Sequence, residues 1–336
     1  MSNKVSIYDI AKSINVSPAS VSYVINGVNK VSQKTKEKIL KAIDELGYVP
    51  DHNARTLSTG KSHLIGLFLP LYDAYVAFLQ NPFYVEFIGG LEMGIAGEDY
   101  DIVIGCRKNQ DNFKDWARSR CLDAVVMLGS YPENIYDDIK QLNIPVVLTD
   151  IYEDYASEFH NIRIDDVKGE YLATKHLIAN GHKDIGFVGS ADSLVDQQRF
   201  EGYKKALKEA QIPFDQEKFF NSYATFDDGY NIADKIMEKN NVTAVACSAD
   251  IIAIGIMKRY IEKGKKLPKD LSIVGFDDIK DSNYVYPGLT TIKQDIGLKG
   301  KMAAQMLIED LKKKNNTYGL ITLKPELIIR DSVYKK

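Results

Sequence analysis

Apolar positions in the first fifty residues recur every three to four places, the spacing of helices that bury one face. Ile7, Ile10, Ala11 and Ile14 form one such stripe, and Val21, Val24 and Ile25 form a second after a tight turn. Ser17 is placed to cap the second helix, because its hydroxyl can accept from the free N–H groups of the first turn. Pro18 suits the first helical position, where its missing N–H costs nothing. Pro18, Ala19, Ser22, Tyr23 and Asn26 are left on the other, mostly polar face. A third helix is predicted from Ser32 through QKTKEKILKAIDEL, with Ile39, Ile43 and Leu46 on one side and a stop at Gly47 ahead of Pro50. Three short helices around a small core, the second presenting a polar face near its N-terminus, are the layout of a helix-turn-helix head. An ordinary three-helix bundle would show the same stripes. After Pro50, DHNARTLSTGK predicts a short helix with Ala54 and Leu57 on one face, Arg55 beside them and Gly60 at its end. So short a helix needs a partner to order it; the alternative is a solvated linker.

From Leu64 the pattern changes. Continuous apolar runs predict strands at Leu64–Leu69, Ile102–Ile104, Ala124–Leu128, Val146–Thr149, Ile185–Val188, Ala244–Cys247 and Ile273–Phe276. Between most of them lie amphipathic helices, including Tyr84–Ala96, Val167–Asn180, Arg199–Ala210 and Ile251–Lys263. Strands alternating with helices, without a switch to hairpins, predict parallel sheets covered on both faces, an α/β architecture. The set of four units, a break near Asn161–Asp166 and a further set predict two similar lobes. Open parallel sheets bind ligands beyond the carboxyl ends of their strands, which singles out Asp150 after VVLT, Asp250 after AVACSA, and Asp277 and Asp278 after SIVGF. Arg199 opens RFEGYKKAL, and Phe83 and Tyr84 stand in NPFY. Carboxylates accept from hydroxyls, arginine donates to them and rings cover C–H faces, so this set suits a polyhydroxylated ligand. Each aspartate could equally cap a helix or shape a turn.

Composition narrows the class. The chain has 336 residues, 45% hydrophobic and 26% charged, enough to bury the cores of two or three domains. Residues 1–62 hold nine Lys+Arg and five Asp+Glu, net +4, whereas the remaining 34 basic and 41 acidic residues give −7. A basic head on an acidic body suits a head that visits a polyanion. No apolar run approaches the ~18 residues of a membrane span, and the N-terminus lacks the apolar core of a signal peptide, so a cytoplasmic location is expected. Cys106, Cys121 and Cys247 are odd in number and far apart, without metal-like spacing.

The residues VSIYDIAKSINVSPASVSYVINGVNKVSQKTKEKILKAIDELGYVPDHNARTLSTGKSHLIGLFLP resemble the head, hinge and first core strand of the lactose-repressor/galactose-repressor family of bacterial transcriptional regulators. The likeness is dense in IYDIA, the paired VS, ING, LGYVP and the A…L of the hinge, and it extends over nearly the whole chain. It implies a three-helix head at 1–49, a hinge helix and linker at 50–62, and a two-lobed periplasmic-binding-protein-like core at 63–336. Lobe one would take about 63–162 and 290–322, and lobe two about 163–289 and 323–336. By the same resemblance the second helix enters the major groove, with Pro18, Ala19 and Tyr23 reading bases, Ser17 and Ser22 near phosphates and Asn26 at the helix end. Tyr8 belongs to the same DNA-facing set, and Asn53, Ala54, Arg55 and Leu57 to the hinge in the minor groove, Leu57 as the wedge between bases. Arg199, Asp250 and Asp277 match effector-binding positions, joined by Phe83, Tyr84 and Asp150.

Three features depart from the family pattern. Tyr23 replaces the arginine that many members carry, Ala249 stands where asparagine commonly precedes Asp250, and Ala224 occupies an aromatic place beside Tyr223 and Phe226. The segment LYDAYVAFLQ is also longer than typical.

Enzyme signatures are missing. No G-x-G-x-x-G follows a strand, no G-x-S-x-G elbow occurs, and the GKS at Gly60–Ser62 has Arg55 where a phosphate loop requires glycine. The five histidines form no H-x-x-x-H pair. The expectation is a non-enzymatic regulator without metal or cofactor, most simply a repressor of carbohydrate-utilisation genes. It would act as a homodimer gripping a pseudo-palindromic duplex, with a small sugar-like effector, inducer or corepressor, altering its grip.

Overall fold

The computed structural model describes residues 5–25, 27–48, 56, 60–69, 81–106, 113–239, 241–313 and 318–336. The chain divides into two compact units, one formed by Met1–His63 with Arg120–Leu122, the other by Leu64–Ser119 and Asp123–Lys336.

The first unit contains α1 (Ile7–Ser13), α2 (Pro18–Ile25) and α3 (Gln33–Glu45). Ser6 starts α1 through a capping box: its hydroxyl accepts from the Asp9 N–H while the Asp9 carboxylate accepts from the Ser6 N–H at 2.8 Å. Ser17 accepts from the Ser20 N–H at 3.1 Å, and Ser32 from that of Thr35. Ile10, Ala11, Val21, Val24, Ile39 and Ala42 close the core. Ala42 stands where Leu46 was expected. Leu46 lies beyond the last turn of α3, where the helix no longer aims side chains inward, and it is 38% exposed. In the hinge, Gly60 takes φ +70° and its N–H donates to the Thr56 carbonyl at 2.8 Å. Asn26, Asn53, Ala54, Arg55 and Leu57 lie outside the described residues, as does LYDAYVAFLQ.

The second unit holds two six-stranded sheets. Sheet one runs β11-β5-β4-β3-β1-β2, from β1 (Leu64–Leu69), β2 (Asp101–Cys106), β3 (Ala124–Leu128), β4 (Val146–Thr149), β5 (His160–Ile164) and β11 (Leu320–Leu323), all parallel. Sheet two runs β12-β10-β9-β8-β6-β7, from β6 (Ile185–Gly189), β7 (Phe219–Asn221), β8 (Ala244–Cys247), β9 (Ser272–Asp277), β10 (Thr290–Lys293) and β12 (Glu326–Ile328). Only β12, which pairs with β10, is antiparallel. β1, β3, β4, β6, β8 and β9 are buried along almost their whole length, which is why they read as unbroken apolar runs, whereas β11 and β12 are largely exposed. Five strands escaped the sequence pattern: β5, β7, β10, β11 and β12 are three to five residues long, and polar residues interrupt most of them.

One boundary needs correction. Residues 290–293 were expected in lobe one, but Thr290 pairs with Val274 and Ile292 with Phe276, so β10 belongs to lobe two. Lobe one resumes only at α11 (Ile296–Lys313). Three segments therefore cross between the sheets: β5 to α7 (Asp166–Ala179), β10 to α11, and β11 to β12. The remaining helices that position the site are α4 (Pro82–Ile95), α8 (Leu194–Glu209), α9 (Phe226–Glu238) and α10 (Asp250–Glu262). Glycine lets α11 lie directly on α4. A Cβ on Gly90 would fall 2.2 Å from the Gly297 carbonyl oxygen, and one on Gly300 2.3 Å from that of Phe87. This close seating carries the first turn of α11, and with it Lys299, into lobe one.

Candidate functional site

The carboxyl ends of the strands from both sheets face one cavity of about 600 Å³. Gly129, Ser130 and Tyr131 come after β3, Asp150 after β4, Ser190 after β6, Ser248 and Ala249 after β8, Asp277 from the end of β9, and Gln294 after β10. Strand ends bend sharply here. Asp150 has φ +59°, Asp278 +57°, Asp295 +47° and Asp277 +122°. Aspartate tolerates the left-handed region better than most side chains, but each such residue still costs of order 1–3 kcal/mol. Backbone energy is thus concentrated around the cavity.

Arg199, from α8, is the hub of lobe two, 6% exposed. Its guanidinium lies 3.7 Å from the Phe276 ring centroid. Nε donates to Asp166 Oδ1 at 2.7 Å, Nη1 donates to the Ser248 carbonyl, and Nη1 stands 3.7 Å from Asp277 Oδ1. Burial works against this charge, but Asp166, Asp277 and Asp196 more than offset it and hold the group firmly protonated. Asp166 also accepts from the Tyr152 hydroxyl, which ties α7 back to lobe one. Asp196 accepts from the Ser190 N–H at 2.6 Å and the Ser248 hydroxyl at 3.0 Å. Burial raises the pKa values of both Asp166 and Asp196, and Arg199 opposes the rise. Burial also lifts Asp277 to about 7 against the pull of Arg199.

Lobe one contributes a second buried cation. Lys299 Nζ donates to both Asp150 oxygens at 2.7 and 2.8 Å and to Gln294 Oε1 at 2.7 Å, while Gln294 Nε2 donates to Asp277. A continuous chain of charge-assisted bonds therefore runs from Asp150 through Lys299, Gln294 and Asp277 to Arg199, Asp166 and Tyr152, joining the lobes behind the cavity. Asp150, Glu153, Asp192, Asp196, Asp277 and Arg199 line the cavity, with Lys299 neutralising Asp150 from behind. Phe83, Tyr84, Tyr131 and Tyr223 supply ring faces. Among the described residues, no three His, Cys, Asp or Glu side chains are grouped to hold a metal ion.

Of the expected effector residues, Phe83, Tyr84, Asp150, Arg199 and Asp277 converge on this cavity. Asp250 does not reach it. The first residue of α10, it is fully buried and accepts from the Ile279 N–H at 3.0 Å, the Ser282 hydroxyl at 2.6 Å and the Thr291 hydroxyl. Its carboxylate is engaged in pinning the loop after β9 to β10. Ala224 and Ala249, the two departures, do line the cavity. Sequence reasoning missed Asp166, Asp196, Gln294 and Lys299. Gln294 directly follows β10 and would have been found had that strand been recognised; Lys299 sits mid-turn in IGLKGKMA with nothing to distinguish it from a surface lysine.

In the head, α2 presents Ala19 exposed and Pro18, Ser22 and Tyr23 half-buried, while Tyr8 is 68% exposed. The Ser17 hydroxyl is engaged in capping and lies 2.9 Å from that of Ser20. Lys30 stands over the Tyr23 ring at 5.2 Å.

Residues 6–51 match the model of bacterial regulatory proteins of the lacI family, and residues 174–333 that of a periplasmic binding protein-like domain. The HTH-type transcriptional repressor PurR of Vibrio vulnificus is 34% identical, with 98% of each chain covered. A lac repressor dimer bound to operator and an anti-inducer superimposes with TM-score 0.84 at 24% identity, covering 99% of this chain and 100% of that one. A LacI family regulator from Enterococcus faecium with bound ribose gives TM-score 0.73 at 26% identity over 81% and 99% of the two chains.

Proposed function

The chain belongs to the lacI family of bacterial regulatory proteins, and from that premise we propose that it is a repressor released from, or fastened to, its operator by a small neutral carbohydrate. The observation that carries this reading is one chain holding both a helix-turn-helix head and a 600 Å³ cavity whose polar walls come from two lobes. Residues 1–49 form the reader, 50–62 the hinge and 63–336 the sensor. Two copies grip a pseudo-palindromic duplex, α2 of each in a major groove, with Leu57 of each hinge wedged in the minor groove between them. Tyr8, Ser17, Pro18, Ala19, Ser22, Tyr23, Asn26, Asn53, Ala54 and Arg55 complete that interface. The protein acts as a sensor without turnover, in the compartment that holds the chromosome.

The carbohydrate reading follows from the mix of groups on the wall. Carboxylates such as Asp150 and Asp277 accept from hydroxyls, Arg199 donates to them, and Phe83 and Tyr84 cover a sugar face. Asp277 and Arg199, on lobe two, and Asp150, on lobe one, grip the ligand from opposite sides, so binding favours the closed pair of lobes. Shifting the lobes resets the spacing of the two hinges in the dimer. A purine effector is the second reading, favoured by the four ring faces that line the cavity.

A thermal-shift panel of neutral sugars, sugar phosphates and purines decides between them. A neutral sugar that raises the melting temperature, is recovered unchanged, and loses its effect in Asp277→Asn supports the first reading. Stabilisation by a purine alone supports the second, and conversion of any ligand to product contradicts both.

A further inference from the structure

Tyr23 and Lys30 meet in the head through a specific turn. After α2, Gly27 takes φ +68° and donates to the Val24 carbonyl at 3.2 Å, and Val28 donates to that of Tyr23 at 2.8 Å. The chain is sent back along the helix, and Lys30, fixed by its own N–H to the Val28 carbonyl at 2.8 Å, puts its ammonium 5.2 Å from the Tyr23 ring centroid. Gly27 is needed because that φ is hostile to a side chain. Lys30 is exposed and makes no ion pair with a described carboxylate. The negative face of a phenol ring attracts a cation, enough at an exposed site to favour the seated position about two- to fivefold.

This seat lies at the end of α2, on its Tyr23 ring. A phenol hydroxyl can make one hydrogen bond to a base edge, too little to separate guanine from the other acceptors. A lysine ammonium can address guanine O6 and N7 together. We propose that Tyr23 and Lys30 work as one composite reader, the ring positioning the Lys30 ammonium in the major groove to select guanine at a fixed position of each half-site. The proposal rests on α2 being the groove-reading helix. It places the reading charge on a residue outside the helix, supported from below by a ring on the helix.

The test is in vitro selection with the full chain on randomised duplexes, comparing wild type with Lys30→Met, Tyr23→Leu and Tyr23→Phe. Wild type is expected to enrich a half-site containing one invariant guanine. Lys30→Met loses preference at that base pair by about 5- to 150-fold, the range of a good bidentate contact, while other positions keep theirs. Tyr23→Leu loses the same preference, and Tyr23→Phe, which keeps the ring, retains it whatever the cost in overall affinity. If Lys30→Met instead weakens all duplexes alike and lowers the salt slope by about one, Lys30 is a phosphate anchor and the proposal is overturned. Retention of the guanine preference in Tyr23→Leu overturns the positioning role of the ring. If wild type enriches no sequence at all, the DNA-reading assignment fails first, and this proposal with it.

Discussion

Lys299 is the sharpest point at which the body can be tested. Its side chain is fully buried, and it holds both oxygens of Asp150 together with Gln294. Replacing it with methionine keeps the stem but leaves Asp150 without its cation, 8% exposed at the floor of the cavity. Removing one partner of a buried pair costs about 3–5 kcal/mol, because the survivor keeps its desolvation penalty. For a core of this size that corresponds to a fall of roughly 5–9 °C in melting temperature. Asp150→Asn strands the ammonium instead and should cost a similar amount. The double variant Lys299→Met with Asp150→Asn buries no unpaired charge and should recover at least about 2 kcal/mol relative to the sum of the singles, within the range of contacting pairs. The single tryptophan, Trp116, is buried in lobe one against Phe68 and Phe113, so its fluorescence reports the unfolding of the lobe that holds the pair. Additive losses in the double variant would refute the view that these two charges depend on one another.

Three further outcomes follow from the same geometry. Asp277, with its pKa raised to about 7, binds hydroxyls in its ionised form, so effector affinity should be full above about pH 8 and fall as pH drops through 7; an affinity flat from pH 6 to 8 by calorimetry removes Asp277 from the contact. Glu170 is fully buried, its Oε2 lacks a partner and burial raises its pKa to about 8. The folded state therefore holds a proton that the unfolded chain releases near 4.5, and the stability it confers is full below that pH and lost as pH rises to 8, about 3 kcal/mol by pH 7. Glu170→Gln should abolish that slope and exceed the wild type in urea midpoint at pH 8; parallel pH profiles contradict it. Leu57→Ala should weaken operator binding in anisotropy titrations while effector affinity stays within twofold, and equal loss of both contradicts the hinge assignment.

The head was almost wholly legible, because capping, helix period and turn glycine all act within a few residues. Ser6, Ser17 and Ser32 cap their helices, and Gly47 ends α3. Long apolar strands were legible for the same reason, since burial on both faces leaves nothing polar to disguise them. Short strands were not. Thr290 and Thr291 are fully buried yet polar, and they are satisfied by pairing with β9, by the Arg330 N–H and Ser332 hydroxyl at Thr290 and by the Asp250 carboxylate at Thr291. Missing β10 moved a lobe boundary and hid Gln294. Asp250 shows the converse error: the rule that ligands sit beyond strand ends found the right place in the chain, but whether a carboxylate faces the cavity or a neighbouring loop depends on contacts about thirty or forty residues away. Lys299 lies deeper still, since a lysine in a helix reads as solvated until α11 is laid on α4 through Gly90 and Gly300.

The central claim is that ligand in the cavity and DNA on the head exchange free energy through the lobes. Linkage makes it measurable: the factor by which saturating effector changes duplex affinity must equal the factor by which saturating duplex changes effector affinity. Anisotropy with a selected duplex and calorimetry with the effector, both on the full chain at fixed salt, should return one shared factor of about 5 to 150. Duplex affinity that is unchanged by saturating effector would show head and body to be independent, and the account would fail.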